Sequence, residues 1–266
     1  MYPTIVRKDV LLRLADELLA ATETLEPVAP LRTRLEGMTL QDAYDIQNAQ
    51  LQYHLNRGRV LCGRKIGLTS LAMQQQLGVD SPDFGYFFED MVHHEGARIP
   101  VSRFIQPKVE PEFGFVLKSR LQGPGITLEQ AAAAIGAVYP AIEIIDSRIT
   151  DWNIKLVDTV ADNASCGAIA VGTHPLEVNP ATLLDIECSL VIDGQVLGTG
   201  TGADVMGNPL APLAWLANVL GDQGVALEAG QLILPGSFTK AEPVTAGSTA
   251  TADFGTLGRL TIHFTD

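Results

Sequence analysis

Apolar residues recur at helical spacing near the start of the chain. Val10, Leu11, Leu14, Leu18 and Leu19 fall on one side of a helix over residues 9–21. Pro27 and Pro30 interrupt the chain beyond it. A second helix is predicted from Thr39, answered by Asp42 three residues on, with Leu40, Ala43, Tyr44, Leu51 and Leu55 along one side. From Val60 the texture changes to short apolar runs separated by Gly and Pro, at 60–66, 113–117, 141–145, 168–171, 190–192 and 232–234. Short helices are predicted over 70–77, stopped by Gly78, and over 128–134, introduced by Thr127 with Gln130. A clearer one starts at Asn208-Pro209 and ends near Gly221. Thr249, Thr251 and Asp253 alternate, a turn comes at 255–258, and the chain returns as 259–264, a terminal hairpin. Strands outnumber any regular βαβ rhythm, so the expected class is α+β with a heavily β core over 59–266 and a helical segment over 1–58.

Composition narrows the function classes. The chain has 266 residues, 46% of them apolar, which suffices for a sizeable core. A net charge of −13 argues against a nucleic-acid partner, where a basic footprint is expected. It leaves room for a small anionic substrate, because the field in a cleft can oppose the net charge. Cys62, Cys166 and Cys188 are too scattered for a disulfide framework or a thiolate metal site. No apolar run approaches the roughly 20 residues that cross a bilayer, and no leader pattern opens the chain, so a cytoplasmic protein is expected. The five histidines show no ligand spacing. Gly198-Thr-Gly-Thr-Gly202 has no Lys-Ser/Thr after it and makes a poor phosphate loop.

The stretch from Gln106 to Leu117 carries the most chemistry. If extended, it points Glu110 and Glu112 to one face, about 7 Å apart, and Val109, Phe113, Phe115 and Leu117 to the other. The acids are then either the exposed face of an edge strand, which Pro111 partly supports, or half of a hard-metal site. Glu143 lies in the apolar run Tyr-Pro-Ala-Ile-Glu-Ile-Ile, where an unpaired carboxylate is costly. Three carboxylates without His or Cys suit Mg²⁺ or Mn²⁺; spacing alone leaves the two readings balanced. Lys65, between apolar residues near small Gly67, is a snorkelling lysine or a ligand-facing one. Asp83 in Ser-Pro-Asp-Phe-Gly reads as turn chemistry. Asn163 and Ser165, among small residues, line a pocket or close a turn; taken alone, they favour the turn.

Gly-Arg-Lys-Ile-Gly-Leu-Thr at 63–69, Gln-Leu-Gly-Val-Asp-Ser-Pro-Asp-Phe-Gly at 76–85, Glu-x-Glu at 110–112, Pro-Ala-Ile-Glu-Ile-Ile-Asp-Ser-Arg at 140–148 and Asp-Thr-Val-Ala-Asp-Asn-Ala-Ser-Cys-Gly at 158–167 occur in that order. Together they resemble the hydratase/decarboxylase branch of the fumarylacetoacetate hydrolase superfamily, over essentially the whole chain. The resemblance implies a twisted β-roll or barrel surrounded by helices, and Mg²⁺ or Mn²⁺ held by Glu110, Glu112 and Glu143. It implies Lys65 and Asp83 as proton-handling residues, the lysine pKa depressed beside the cation, and Leu68, Asn163 and Ser165 at the substrate. Pro111 departs from the small non-proline residue usual between the paired acids, which puts local strand pairing in question. The implied reaction is hydration of a short 2-hydroxydienoate in the meta-cleavage degradation of aromatic compounds. Decarboxylation of a 2-oxo-enedioate, hydration of a longer dienoate or diacid, and a non-catalytic stabilising subunit are the alternatives. The hydratase-like spelling of 151–166 outweighs Glu-Pro-Glu, which leans to decarboxylases. A homo-oligomer is implied too, with a pathway decarboxylase or aldolase as possible partner.

Overall fold

Two N-terminal helices, α1 (Tyr2–Thr24) and α2 (Leu40–Leu55), form where the apolar spacing predicts, α1 longer at both ends. This computed structural model describes residues 2–70 and 81–266, with side chains from Arg7 onward. The helix predicted over 70–77 falls almost wholly outside the described residues. Thr39 and Asp42 cap α2 reciprocally: Thr39 Oγ1 accepts from Asp42 N at 3.1 Å, and Asp42 Oδ2 accepts from Thr39 N at 2.7 Å. Arg7 Nε donates to Asp42 Oδ1 at 2.9 Å, so α1 is tied to the cap of α2. Among the described residues three further α-helices come later, α3 (Leu128–Ala134), α4 (Leu156–Ala161) and α5 (Leu210–Gly221). The predicted Thr127–Gln130 box caps α3, and Asn208 Oδ1 accepts from Leu210 N at 2.9 Å at the start of α5.

The strands, in chain order, are β1 (Leu61–Gly67), β2 (Asp83–Phe88), β3 (Val92–His94), β4 (Arg98–Pro100), β5 (Lys108–Leu117), β6 (Ile135–Ile145) and β7 (Cys166–Val171). They continue as β8 (Glu187–Ile192), β9 (Gln195–Thr201), β10 (Leu232–Leu234), β11 (Glu242–Pro243), β12 (Thr249–Asp253) and β13 (Arg259–Thr265). Among the described residues they make two sheets. One runs β2-β1-β10-β5-β6-β7-β3, with β11 beside β5; the other runs β4-β13-β12-β8-β9. The terminal hairpin is the β12–β13 pair, Thr249 opposite His263. The class is α+β, as the pattern predicts.

Strand β2 touches β7 although four strands separate them in the pairing order, so the larger sheet is rolled on itself. Alternation then gives it two unlike faces. Ile66, Phe84, Val109, Phe113, Phe115, Ile142, Ile144 and Ile233 form the main core with Leu190, Ala250, Leu260, Ile262 and Phe264 of the second sheet. The opposite face carries Phe87, Ala141, Cys166, Ile169, Val171, Leu232 and Leu234 as a smaller apolar cluster. Lys65, Glu110, Glu112 and Glu143 share that second face by the same alternation.

Two expectations are corrected. Strand β5 is not an edge: β6 pairs along its whole length, and β10 and β11 pair on its other side. Pro111 fits because a strand residue's N–H and C=O point to the same side. Its carbonyl accepts from Phe238 N at 3.1 Å, in the gap between β10 and β11, so the missing donor takes nothing from the β5–β6 ladder. Asp83 is not in a turn; it opens β2, a strand buried on both faces whose sequence therefore lacks alternation.

The helical segment is fastened to the sheet. Leu11, Leu14, Leu18, Leu31, Ala43 and Ile46 share a core with Val160 and Ala161 of α4. Buried Gln47 donates from Nε2 to Phe84 O at 2.8 Å and to Val160 O at 2.9 Å, joining α2 to β2 and α4 at once. Replacing Gln47 by Leu keeps the volume but orphans both carbonyls. Denaturant titration is expected to show a loss of about 1–3 kcal/mol, and an unchanged midpoint would refute this linkage.

Candidate metal and acid–base site

The register of β5 against β6 sets the site. Glu110 stands directly opposite Glu143, and Glu112 lies two residues along the same face, opposite Ala141. One oxygen from each of the three carboxylates can be chosen so that all lie within 4.8 Å of one another. Glu112 and Glu143 are buried, Glu110 half-buried. Glu112 Oε2 accepts from Gly236 N at 2.7 Å, while neither Glu143 oxygen has a hydrogen-bond donor. Buried carboxylates left in this state are costly, and their pKa values record it. Burial, then Glu143, pushes Glu110 up to about 7. Burial, then Glu143 and Glu110, pushes Glu112 well above the carboxylate range. Burial also raises Glu143, against the pull of Lys65.

Lys65 reaches the same face from β1. Its Nζ donates to Ala164 O at 3.0 Å and lies 3.3 Å from Glu143 Oε1. Burial alone would lower its pKa, but Glu143, Asp83 and Glu110 outweigh burial and hold it above the usual lysine range. The depression expected for Lys65 is that of a lysine beside a bound cation. Asp83 is buried, Oδ1 has no hydrogen-bond partner, and burial raises its pKa against Lys65. Gly67 sits opposite Asp83 in the β1–β2 register, and a Cβ there would come within 2.3 Å of Asp83 Oδ1. The space that Gly67 leaves is occupied by this carboxyl.

Asn163, Ala164 and Ser165 make a turn between α4 and β7, all three with left-handed φ, at 53°, 50° and 55°. Each such residue costs of order 1–3 kcal/mol unless its surroundings compensate. Asn163 Oδ1 accepts from Tyr86 N at 2.9 Å and Nδ2 donates to Tyr86 O at 2.8 Å. Ser165 Oγ lies 3.4 Å from Thr159 Oγ1. Leu68 comes directly after β1, half-buried, with φ 56°. The structure therefore brings Lys65, Asp83, Glu110, Glu112 and Glu143 to one face, with the 163–165 turn against Lys65 through Ala164.

Sequence reasoning passed over several contributors. Cys166, at a bulge opposite Ile145, sits near Glu143; burial, then Glu143, raises its thiol. Gly236, with φ 122°, gives its N–H to Glu112, and a Cβ there would lie 2.1 Å from Thr69 Oγ1. The Leu-Pro-Gly-Ser spelling after β10 is the signal that could have found it. Arg148 is spent inside the fold: Nε donates to Asp162 Oδ1 at 2.5 Å, and Nη1 to Asp146 O and Cys166 O at 2.6 and 2.9 Å. Arg64 alternates with Lys65 and points to the opposite face of the sheet.

A cluster of carboxylate oxygens, with Glu143 lacking any hydrogen bond and an ammonium beside it, fits a hard divalent cation. In metal-free protein, a Glu110 pKa raised from 4.5 to about 7 means the folded state holds its proton over that window while the unfolded state releases it. Stability then falls as pH rises through the window. Glu110→Gln is expected to flatten that fall in thermal melts taken with chelator, and to weaken Mg²⁺ binding at least tenfold by calorimetry. Wild-type Mg²⁺ affinity in the variant would remove Glu110 from the ligand set.

Comparison with known proteins identifies the family. The family described as fumarylacetoacetate (FAA) hydrolase C-terminal matches residues 64–265. The chain is 42% identical over 250 residues to a 2-keto-4-pentenoate hydratase of Paraburkholderia xenovorans (strain LB400), covering 94% of this chain and 93% of that one. It is 44% identical over 222 residues to a 2-hydroxypent-2,4-dienoate hydratase of Pseudomonas putida, covering 82% of this chain and 99% of that one. A solved structure of 4-oxalocrotonate decarboxylase from Pseudomonas putida G7, complexed with magnesium and adipate, superposes with a TM-score of 0.92 at 33% identity. That match covers 96% of this chain and 97% of the decarboxylase.

Proposed function

Since the chain belongs to the fumarylacetoacetate hydrolase family, we propose that it is a metal-dependent hydro-lyase. It adds water to 2-hydroxypenta-2,4-dienoate to give 4-hydroxy-2-oxopentanoate, a step of meta-cleavage degradation of aromatic compounds. The observation that carries the reading is the convergence of Glu110, Glu112 and Glu143 beside Lys65 on one buried sheet face. Relatives named as hydratases, at 42% and 44% identity, support the reaction type. In this reading residues 59–266 are the catalytic unit, and the helical segment 1–58 buttresses it through Gln47.

Glu110, Glu112 and Glu143 would hold Mg²⁺ or Mn²⁺. When bound, the ion supplies Lewis-acid stabilisation to the 2-oxo acid head as negative charge develops on it. Around that head, Lys65 presents an ammonium fixed by Ala164 and Glu143, a donor for the substrate's oxygen. Asp83, whose carboxyl is biased by burial toward keeping its proton, is placed to deliver and recover it. The proton balance is simple. The 2-hydroxyl loses a proton and C5 gains one, giving the 3-en-2-oxo acid; water then places its oxygen at C4 and a proton at C3. Leu68 and Ser165 complete the substrate's surroundings, while the Asn163 carboxamide, expected at the substrate, is taken at both ends by Tyr86. The apolar cluster of Phe87, Ile169, Val171, Leu232 and Leu234 on the same face suits a short uncharged tail.

Decarboxylation of a 2-oxo-enedioate is the second reading, favoured by the likeness to the decarboxylase structure. A second carboxylate calls for an available cation. Among the described residues on this face, Lys65 is engaged, Arg148 is bonded to Asp162, and Lys108 Nζ lies over the Trp152 ring, 4.4 Å from its centroid. The hydratase reading is the better fit. A homo-oligomer is part of it, supported by exposed Val196 and Leu197 on β9, an edge strand without charged side chains. Among the described residues no helix is long and apolar enough to cross a membrane.

Purified protein with Mg²⁺ or Mn²⁺, given fresh 2-hydroxypenta-2,4-dienoate, is expected to remove the dienoate absorbance without releasing CO₂. Release of CO₂ from 2-oxohex-3-enedioate with the dienoate untouched would overturn the assignment in favour of the decarboxylase. Lys65→Met is expected to lower kcat by about 10²-fold or more while Mg²⁺ affinity changes little. Lost metal binding with turnover retained would refute the role given to Lys65.

A further inference from the structure

We propose that Asn163 is a positioning residue. Its amide closes the free edge of β2 and so holds the left-handed turn at 163–165, through which the Ala164 carbonyl fixes the ammonium of Lys65. This rests on the reading of Lys65 as a proton-handling group.

Among the described residues strand β2 is the last strand of its sheet, paired on one side only, by β1. The N–H and C=O of Tyr86 on its other side are both taken by one side chain, Asn163, at 2.9 and 2.8 Å. A carboxamide does what a neighbouring strand's peptide would do: it accepts with its oxygen and donates with its nitrogen. Aspartate cannot donate, and alanine can do neither. Asparagine also tolerates the left-handed φ of 53° better than most residues. Gly85 is part of the device, because a Cβ there would lie 2.4 Å from Asn163 O. On the far side of the turn, Asp146 N donates to Ser165 O at 2.8 Å and Ser165 N to Asp162 O at 3.0 Å. With both ends held, the middle carbonyl, Ala164 O, is aimed at Lys65 Nζ, 3.0 Å away.

The chain has six lysines, so the side-chain nitrogen signals of lysine-labelled full-length protein are few enough to resolve by NMR. Lys65→Met identifies one by deletion. In Asn163→Gly, which keeps the left-handed freedom and removes the amide, the Lys65 signal at fixed pH is expected to move while the other five stay. Gly85→Ala, whose Cβ would press on Asn163 O and so push the turn away while the amide is kept, should move the same signal in the same direction. For both variants kcat for the dienoate should fall at least tenfold, with KM and the affinity for Mg²⁺ alone within threefold of wild type. An unmoved Lys65 signal overturns the proposal. So does a tenfold rise in KM with kcat retained, the mark of direct substrate contact. Movement of all six signals with loss of Mg²⁺ affinity marks a merely structural role and also overturns it. Should Asn163→Gly fail to fold, Asn163→Asp, which keeps the acceptor, takes its place under the same criteria. A wild-type protein inactive on the dienoate would fail the functional reading, while the lysine signals would still decide the positioning role.

Discussion

Carboxylates that share a buried space repel one another, and a fold accepts them only where the backbone leaves no alternative. Here the constraint is the β5–β6 ladder, ten residues long on β5, which puts Glu110 opposite Glu143 and Glu112 on the same face. A slip of β6 by one residue against β5 would turn Glu143 to the face that carries Phe113 and Phe115. The hydrophobic face therefore enforces the polar one. Much else in the site answers that concentration of negative charge: the ammonium of Lys65, the Gly236 N–H on Glu112, and the raised pKa of Glu110.

The supporting structure is directed at the same place. Gly67 makes room for the Asp83 carboxyl, Gly85 for the Asn163 turn, and Arg148 is enclosed by Asp146, Asp162 and Cys166 so that the segments before β7 cannot drift. The N-terminal helices share this work from outside. Gln47 and Gln50 bond the backbone of β2 and α4 instead of contributing to the apolar packing. The site is thus assembled from segments scattered along the chain, held by hydrogen bonds to backbone more than by contacts between functional side chains.

How much of this the sequence discloses depends on whether a residue's role is local. The capping boxes at Thr39 and Thr127, the β12–β13 hairpin and the β10 strand are legible because each is set by neighbours in the chain. Glu110 and Glu112 are legible as a pair from their two-residue spacing, and Glu143 from its apolar context. Strand β2 escapes notice because it is buried on both faces and shows no alternation. The burial of Pro111 within a central strand escapes for a different reason: whether a missing N–H matters depends on the gap between β10 and β11, set by residues far along the chain. The partners of Lys65 are equally invisible, since Ala164 acts through a carbonyl that every residue possesses.

The placement of β10 has a consequence for how the protein is made. Leu232–Leu234 lies between β1 and β5, parallel to the first and antiparallel to the second, and it alone joins the lysine strand to the glutamate strand in the sheet order. On the ribosome, Lys65 and the three glutamates are all synthesised long before that short segment emerges. Until it does, the lysine strand and the β5–β6 hairpin that carries all three acids belong to separate pieces of sheet. Closure by a late, sequence-distant strand is slow in kinetic terms, because the loop it ends must be ordered first. Vectorial synthesis therefore joins the lysine strand to the acids in the sheet only when nearly all of the surrounding structure exists to enclose them.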